Sequence, residues 1–237
     1  METFAGDFST LWTLNQRPPI EHLTWDWWWW LVMLDDDEHP MAGKQLMVLW
    51  STKENDHVHI NDVEWKPKGT PGFDDQGAIQ IDGMVCAWWF DGSVMHDEII
   101  AKVCDMVVLP SNHASWPGKE GQGGGAVVPL LEGDCSMGML PDRSQFWLNL
   151  DLEHEAVQSI QLKMTPWNPA MSTAREATAT YLGSLGYDIL RLHGTKVSGI
   201  IDGEDVSGTA YFQKVCVQAP SVPWYWGVLH FLSLIHI

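Results

Sequence analysis

The sequence predicts an all-β protein, built either as a closed barrel or as a two-sheet sandwich. The stretches WLNLDLE and SIQLKM alternate apolar and polar residues with a period of two, which is typical of half-buried antiparallel strands. Asp91-Gly92 and Asp202-Gly203 are dipeptides that favour tight hairpin turns. Many such segments recur at short spacing while helical periodicity is scarce, and this combination favours a sandwich or a barrel.

The predicted strands are apolar segments separated by turn signals. They are residues 23–34, 45–52, 57–65, 78–90, 94–109, 146–152, 157–164, 178–182, 187–192, 197–201, 206–215 and 224–231. The best short helical pattern covers residues 170–177, where we expect a helix. The stretch PGKEGQGGGAVVP predicts a flexible loop, because residues 121–125 are nearly all glycine.

The stretch TWDWWWWLVML, residues 24–34, predicts a strand that is apolar on both faces. One face carries Trp25, Trp27, Trp29, Leu31 and Met33, and the other carries Asp26, Trp28, Trp30, Val32 and Leu34. Because neither face suits water, we expect one to fill a barrel or line a pocket and the other to pack on a second layer. Each buried Trp removes roughly 200 Å² from water, which is worth at most about 5 kcal/mol.

Asp26 is the polar exception at the start of this apolar strand, and we expect it at the mouth of a barrel. A carboxyl group buried there must either be protonated or find a hydrogen-bonded partner. It is therefore the candidate proton donor of the sequence.

Composition narrows the classes of partner. Acidic residues outnumber basic ones 31 to 13 in the 237-residue chain, and the formal net charge is −18. Such a charge repels nucleic-acid phosphates and anionic lipid surfaces, so we expect neither as a partner. There is neither a basic region followed by an apolar run at the N-terminus nor a stretch of about 20 apolar residues, so we expect a cytoplasmic protein without a transmembrane segment.

Motifs for several common chemistries are missing. The cysteines, Cys86, Cys104, Cys135 and Cys216, are widely spaced and form no C-x-x-C pair, so we expect reduced thiols in or near the core. The stretch HVHINDVE resembles one half of a paired metal motif, but its second half is not found, and we predict neither a metal nor a cofactor. Because no G-x-S-x-G, P-loop or G-x-G-x-x-G occurs, nucleophile-elbow hydrolysis and nucleotide binding have no support.

The end of the chain carries a second aromatic segment. The stretch SVPWYWGVLHF echoes LTWDWWWWLVMLDD and indicates the opening strand of a second β-domain, with two unrelated aromatic strands in one sandwich as the alternative. The last six residues, LSLIHI, back-translate as CTG TCT CTT ATA CAC ATC, which is the end of a transposase adapter used in sequencing libraries. We therefore interpret residues 232–237 as an artefact, with a natural apolar tail as the alternative.

Four stretches resemble, in order, the motifs of the carotenoid 1,2-hydratase (hydroxyneurosporene synthase) and AttH group of lipocalin-like proteins. The run Asp26-Trp27-Trp28-Trp29 is similar to the E-W-W-Y strand of that family, and LKMTPWNPA is similar to its L-x-x-x-P-x-x-P segment. The stretch KVSGIIDGEDVSGTAYFQKV resembles the paired strands that lead to its G-x-a-W-x-D-h/r-x-W-G motif. The stretch PWYWGVLHF resembles the W-x-W strand that opens its second domain.

The resemblance implies a lipocalin-like (calycin) antiparallel barrel that is the first of two linked barrels. Residues 1–218 would form this barrel, and residues 219–231 would form the first strand of a truncated second domain. The family includes an enzyme that adds water across a terminal double bond of an acyclic carotenoid. We therefore expect the barrel to bind an elongated apolar small molecule, such as an acyclic carotenoid or another isoprenoid or lipid, with hydration or isomerisation as the reaction if the chain is an enzyme.

The sequence departs from the family where the chemistry is implied. Gly208, Ala210 and Tyr211 fit the motif, but Gln213 stands at the family's Asp and Lys214 at its His or Arg. Protonating an alkene needs a carboxylic acid or a similar donor beside an apolar channel, and an amide cannot donate a proton as an acid. We therefore expect binding with little or no hydration.

The candidate site follows from these points. Asp26 is the candidate catalytic residue, and the candidate ligand-binding residues are Trp27, Trp28, Trp29, Tyr211, Gln213, Trp224 and Trp226. A carbohydrate-binding β-sandwich with exposed Trp platforms is the alternative function. Aromatic residues on both faces of one strand favour burial, and hence the barrel. The oligomeric state is left open by the sequence.

Overall fold

The computed structural model is all-β. It describes residues 2–14, 16–35, 41–53, 58–60, 63–65, 72–110, 126–129 and 135–220, with backbone alone for residues 53, 58–60, 65 and 126–129. The strands are β1 (Ala5–Gly6), β2 (Thr24–Leu34), β3 (Gln45–Lys53), β4 (Val58–Ile60), β5 (Val63–Trp65), β6 (Gly72–Phe73), β7 (Ile79–Phe90), β8 (Ile100–Leu109), β9 (Ala126–Pro129), β10 (Ser136–Met139), β11 (Phe146–Asp151), β12 (Ser159–Pro166), β13 (Thr173–Thr180), β14 (Gly186–Ile201) and β15 (Glu204–Gln218). Within these residues, no helix has the length and apolarity that a membrane span requires.

The main sheet closes on itself. Its hydrogen-bond order is β1-β13-β14-β12-β11-β10-β9-β8-β7-β3-β2-β15, with β6 added beside β7. A further pairing joins β15 to β14. Strand β14 therefore pairs with both ends of the series that runs from β12 to β15, and these strands form a closed ring. This closure is how a barrel removes its sheet edges. Strands β4 and β5 form a separate hairpin.

The β14–β15 hairpin is the longest ladder of the wall. Asp202 and Gly203 have φ of 51° and 88°, the left-handed conformation that a tight hairpin turn demands, as the dipeptide predicts. The register shifts between Leu192 and Thr195, and Gly194 within this bulge has φ of 66°. Before the bulge β14 pairs with β13, and after it β14 pairs with β12.

Alternate residues of β2 point into the barrel. Trp28, Trp30, Val32 and Leu34 belong to the main core, which also contains Trp50, Phe146 and Phe212 from other strands. Trp28, Trp30 and Trp50 are fully buried. Strand β2 was predicted to be apolar on both faces with one face filling the barrel, and both points are confirmed.

The segment before β2, residues 2–14, closes one end of the barrel. Phe4, Phe8 and Leu11 belong to the main core, and the Phe4 ring centroid lies 5.4 Å from that of Phe146. The segment is tied to the sheet by the short parallel pairing of β1 with β13. It therefore enters the barrel as a plug of apolar side chains on an irregular backbone.

Several sequence predictions of secondary structure need correction. The helix expected over residues 170–177 is wrong, because β13 occupies most of that range and its ladder with β14 satisfies the backbone groups. The separate strands expected over residues 187–192 and 197–201 are one strand, β14, interrupted only by the bulge. The short strands β1, β6, β9 and β10 were not predicted. Residues 121–125, 224–231 and 232–237, on which other predictions rest, lie outside the described residues.

Candidate functional site

The inner face of the barrel wall carries one buried charged pair. Lys214 Nζ donates a hydrogen bond to Asp26 Oδ1, and the two side chains are only 0% and 1% exposed. Lys214 Nζ also donates to the carbonyl oxygen of Val215 at 3.2 Å. Trp28 lies opposite Lys214 in the ladder and Cys216 lies opposite Asp26, so the charged pair is a diagonal one. Asp26 thus has the partner that a buried carboxylate requires.

Aromatic rings surround the Asp26–Lys214 pair. The ammonium of Lys214 lies 5.3 Å from the centroid of the Trp28 ring, within the range of a cation–π interaction. Trp28 Nε1 donates a hydrogen bond to the carbonyl oxygen of Leu11 at 2.6 Å. The half-buried ring of Trp12 lies 6.4 Å from that of Trp28. The plug therefore lies directly against the tryptophan that faces the lysine.

Trp30 holds an unsatisfied donor deeper in the barrel. Its ring lies 5.3 Å from that of Phe146 and 4.7 Å from that of Phe212, measured between centroids. Its indole N–H is buried and has no hydrogen-bond acceptor within the described part of the chain. Because a buried donor without an acceptor is costly, a ligand oxygen at this point would be favourable.

The outer face of the same two strands carries a second cluster. Trp29 and Tyr211 pack edge to face with centroids 6.0 Å apart, and the His193 ring lies 4.6 Å from that of Tyr211. Gln213 Nε2 donates a hydrogen bond to Tyr211 Oη. Burial raises the pKa of the Tyr211 phenol, while the hydrogen bond with Gln213 and the charge of Arg191 oppose that rise. Trp27 lies on this face too, against Trp25 at 5.4 Å.

The candidate site residues are divided between the two faces of the barrel wall. Asp26 and Trp28 point into the barrel, whereas Trp27, Trp29, Tyr211 and Gln213 lie on its outside. Tyr211 and Gln213 therefore do not share a face with Asp26, although β15 and β2, which carry these residues, are neighbours in the wall. The reason is the two-residue period of a strand, which sends neighbouring side chains to opposite faces. Trp224 and Trp226 lie outside the described residues.

Lys214 is an inner-face residue that was not among the candidate site residues predicted from the sequence. The sequence does contain a signal for it, because Ala210, Phe212, Lys214 and Cys216 share one face of β15 and only the lysine is charged. A lysine on an otherwise apolar face needs a buried counter-ion. Asp26, the lone acid on the matching face of β2, meets that need.

The cysteines behave as the sequence predicts. All four are free and buried. Burial raises the pKa of Cys86 and Cys104 to about 12 and that of Cys216 to about 11. The prediction of reduced thiols in the core is confirmed.

Comparisons with known proteins find similarity to a solved structure. No protein-family model and no curated protein match the chain. The chain is similar to the crystal structure of a protein from Nitrosomonas europaea named as an AttH candidate, with 14% identity and a TM-score of 0.46. The similarity covers 92% of this chain and 57% of that one, so this chain spans little more than half of that protein's length. This likeness says nothing of the ligand or the reaction.

Proposed function

We propose that this chain binds an elongated apolar molecule, such as an acyclic isoprenoid or another lipid, and does not hydrate it. The observation that carries the proposal is the Asp26–Lys214 pair inside an otherwise apolar barrel end. Ligand sites are mostly apolar with a few polar groups that fix orientation, and barrel mouths are common places for them. A buried ion pair is weak evidence for stability, because apolar residues of similar size often serve as well or better. A role as the polar group that fixes the orientation of the ligand would account for the presence of the pair inside the barrel.

The position of the plug, residues 2–14, indicates where a ligand would enter the barrel. Phe8, Leu11 and Trp12 fill the barrel end with apolar groups of the kind that a lipid chain would replace. The plug has an irregular backbone, a two-residue pairing with β13 and a few single hydrogen bonds, such as that of Phe4 N–H to the carbonyl oxygen of Arg143, so it has few ladder hydrogen bonds to lose. Elements with few such bonds are the ones that open at low cost. A ligand that displaces the plug would reach Trp28 first and Lys214 next.

The proposed absence of hydration rests on Gln213 and Asp26, which occupy the two positions where a proton donor could be expected. Gln213, which stands at the family's acidic position, lies on the outside of the barrel and is bonded to Tyr211. Asp26 accepts a hydrogen bond from the ammonium of Lys214 and serves as its counter-ion. Protonation of an alkene needs an acidic donor beside the double bond, and we expect neither an amide nor a carboxylate that is paired with an ammonium to act as one.

The carbohydrate-binding alternative needs tryptophan faces that are open to solvent. Among the tryptophan side chains that the structure describes, only Trp167 reaches 36% exposure, and the others are half-buried or buried. This observation does not favour sugar platforms, so we do not propose a second function.

The test is to incubate the purified protein with an acyclic carotenoid, to follow co-elution in gel filtration, and to analyse the products by chromatography. We expect the carotenoid to co-elute with the protein and no hydroxylated product to form. Lys214→Met removes the polar anchor and should weaken binding. Lys196→Met removes an exposed charge on the neighbouring strand and should leave binding unchanged.

Two results would contradict the proposal. Failure of the carotenoid and of simple fatty acids to co-elute, together with binding to a glycan array, would favour the carbohydrate alternative. A hydroxylated product that disappears in Asp26→Asn would show that the chain is a hydratase with Asp26 as its acid. Circular dichroism of each variant would confirm that the barrel is folded.

A further inference from the structure

Two arginines lie side by side on the outside of the barrel, across the wall from the Asp26–Lys214 pair. Arg175 on β13 and Arg191 on β14 are direct partners in the antiparallel ladder. Residues opposed in this way have Cβ atoms about 4.5–5.5 Å apart, and like charges at such positions are destabilising. The arrangement is therefore unfavourable unless something negative neutralises it.

No carboxylate of the described residues does so. Within that part of the chain, the arginine that forms an ion pair is Arg17, with Asp188 at 3.3 Å. Arg191 Nε is buried and has no hydrogen-bond partner among the described residues. The chain has 31 acidic and 13 basic residues, yet none of the acidic residues that the structure describes pairs with Arg175 or Arg191.

His193 and Gln213 complete the cluster. His193 follows Arg191 on the same face of β14, and partial burial and the charges of Arg191 and Arg175 lower its pKa. Gln213 lies opposite Arg191 in the β14–β15 ladder. Arg175 and His193 are exposed, so solvent reaches the cluster. All four side chains offer N–H donors.

We propose that Arg175, Arg191 and His193 form a binding site for a small oxyanion, namely the phosphate or carboxylate group of a metabolite. Guanidinium groups present forked pairs of donors that match the oxygens of these anions. The buried Nε of Arg191 supplies a donor that has no other acceptor in the described chain. Gln213 and Tyr211 border the site on the side of β15. The site is independent of the apolar ligand proposed for the barrel interior.

The test is thermal unfolding in sodium phosphate, in sodium acetate and in sodium chloride of equal ionic strength. Binding to the folded state alone raises the melting temperature, so we expect phosphate or acetate to raise it by a few degrees beyond chloride. The anion with the larger effect identifies the group that is bound. Arg191→Gln and Arg175→Gln should each abolish this difference between anions.

Lys196→Gln is the matched control, since it removes one exposed positive charge from the same strand. It should keep the full oxyanion effect. Arg191→Gln should also unfold no earlier than the wild type in chloride, because it relieves a repulsion. The proposal would be overturned if neither anion exceeded chloride in the wild type, or if Arg191→Gln kept the wild-type response. Isothermal titration of the same variants with inorganic phosphate would measure the binding directly, without heating.

Discussion

Asp26 and Lys214 stand 188 positions apart in the chain and meet inside the barrel. Each is the charged member of an apolar strand face, and each would be costly to bury alone. Their neighbours Trp27 and Gln213 point the opposite way, to the outside of the wall. At the scale of single residues, the two-residue period of a strand thus decides which side chains can act together.

The buried thiols allow a prediction at this scale. Since burial raises the pKa of Cys86, Cys104 and Cys216 to between about 11 and about 12, these groups stay protonated at pH 8. The thiolate is the reactive form, so we expect alkylation in the native protein to be far slower than in urea. Peptide mass spectrometry after a short iodoacetamide pulse would measure this site by site. Rapid labelling of any of the three in the native protein would contradict their burial.

The residues of the site could be predicted only in part. The sequence alone indicates that Asp26 is buried and that the tryptophan strand fills a core, because both follow from the pattern of one strand. It could not show that Lys214 faces Asp26, because that contact depends on the register between strands distant in the chain. The Arg175–Arg191 pair was missed because β13 was interpreted as a helix, which hid the ladder that joins the two.

At the scale of elements, the plug of residues 2–14 is the least regular part of the core. Phe4, Phe8 and Leu11 are as buried as the core residues of the strands, while most of its other side chains are exposed. Beyond the short β1–β13 pairing, its backbone makes single hydrogen bonds, such as that of Phe4 N–H to the carbonyl oxygen of Arg143. Its contribution to stability therefore comes mainly from the burial of these three side chains. The same element covers the end of the barrel at which we propose that a ligand enters.

A truncation tests the plug's contribution. Leu11 is fully buried in the main core, so Leu11→Ala should lower the free energy of unfolding by about 2–5 kcal/mol. Leu182 is 77% exposed, so Leu182→Ala should change it by less than about 0.5 kcal/mol. Urea denaturation of both variants would measure the difference. Equal, small effects would show that the plug is not docked in solution.

The bulge of β14 gives a second prediction for an element. Gly194 and Gly183 both have positive φ, of 66° and 60°. A Cβ at position 194 would lie 2.6 Å from Met171 Cβ, whereas nothing lies within 4 Å at position 183. Gly183→Ala should therefore cost about 1–2 kcal/mol from backbone strain alone, and Gly194→Ala should cost clearly more. Thermal unfolding of the pair would measure this, and equal losses would contradict the close approach.

The segment around β13 shows why elements were only partly predictable. Ala174, Glu176 and Ala177 favour a helix by propensity, but the preferences of a few residues are worth less than a complete ladder. That ladder exists only because β14 is long enough to pair with β13 before its bulge and with β12 after it. Such dependence on a distant partner is invisible in a local pattern.

At the scale of the whole molecule, closure of the sheet produces two separate environments. The inside is lined mainly by apolar side chains and holds the Asp26–Lys214 ion pair, and the outside carries the Arg175–Arg191 pair in a chain that is acidic as a whole. The all-β class and a barrel or sandwich follow from strand spacing and turns. Closure itself rests on the pairing of β15 with β14 and with β2, which joins the last described strand to the first long one.

The most direct test of this account is a double-mutant cycle on Asp26 and Lys214, measured by urea denaturation. Asp26→Asn and Lys214→Met should each lower the free energy of unfolding by about 3–5 kcal/mol, because each leaves a buried group without its partner. The double variant should lose less than the sum, with a coupling energy of about 1–3 kcal/mol. Losses that add to within about 0.5 kcal/mol would mean that the two residues do not meet, and the buried pair inside a closed barrel would be refuted.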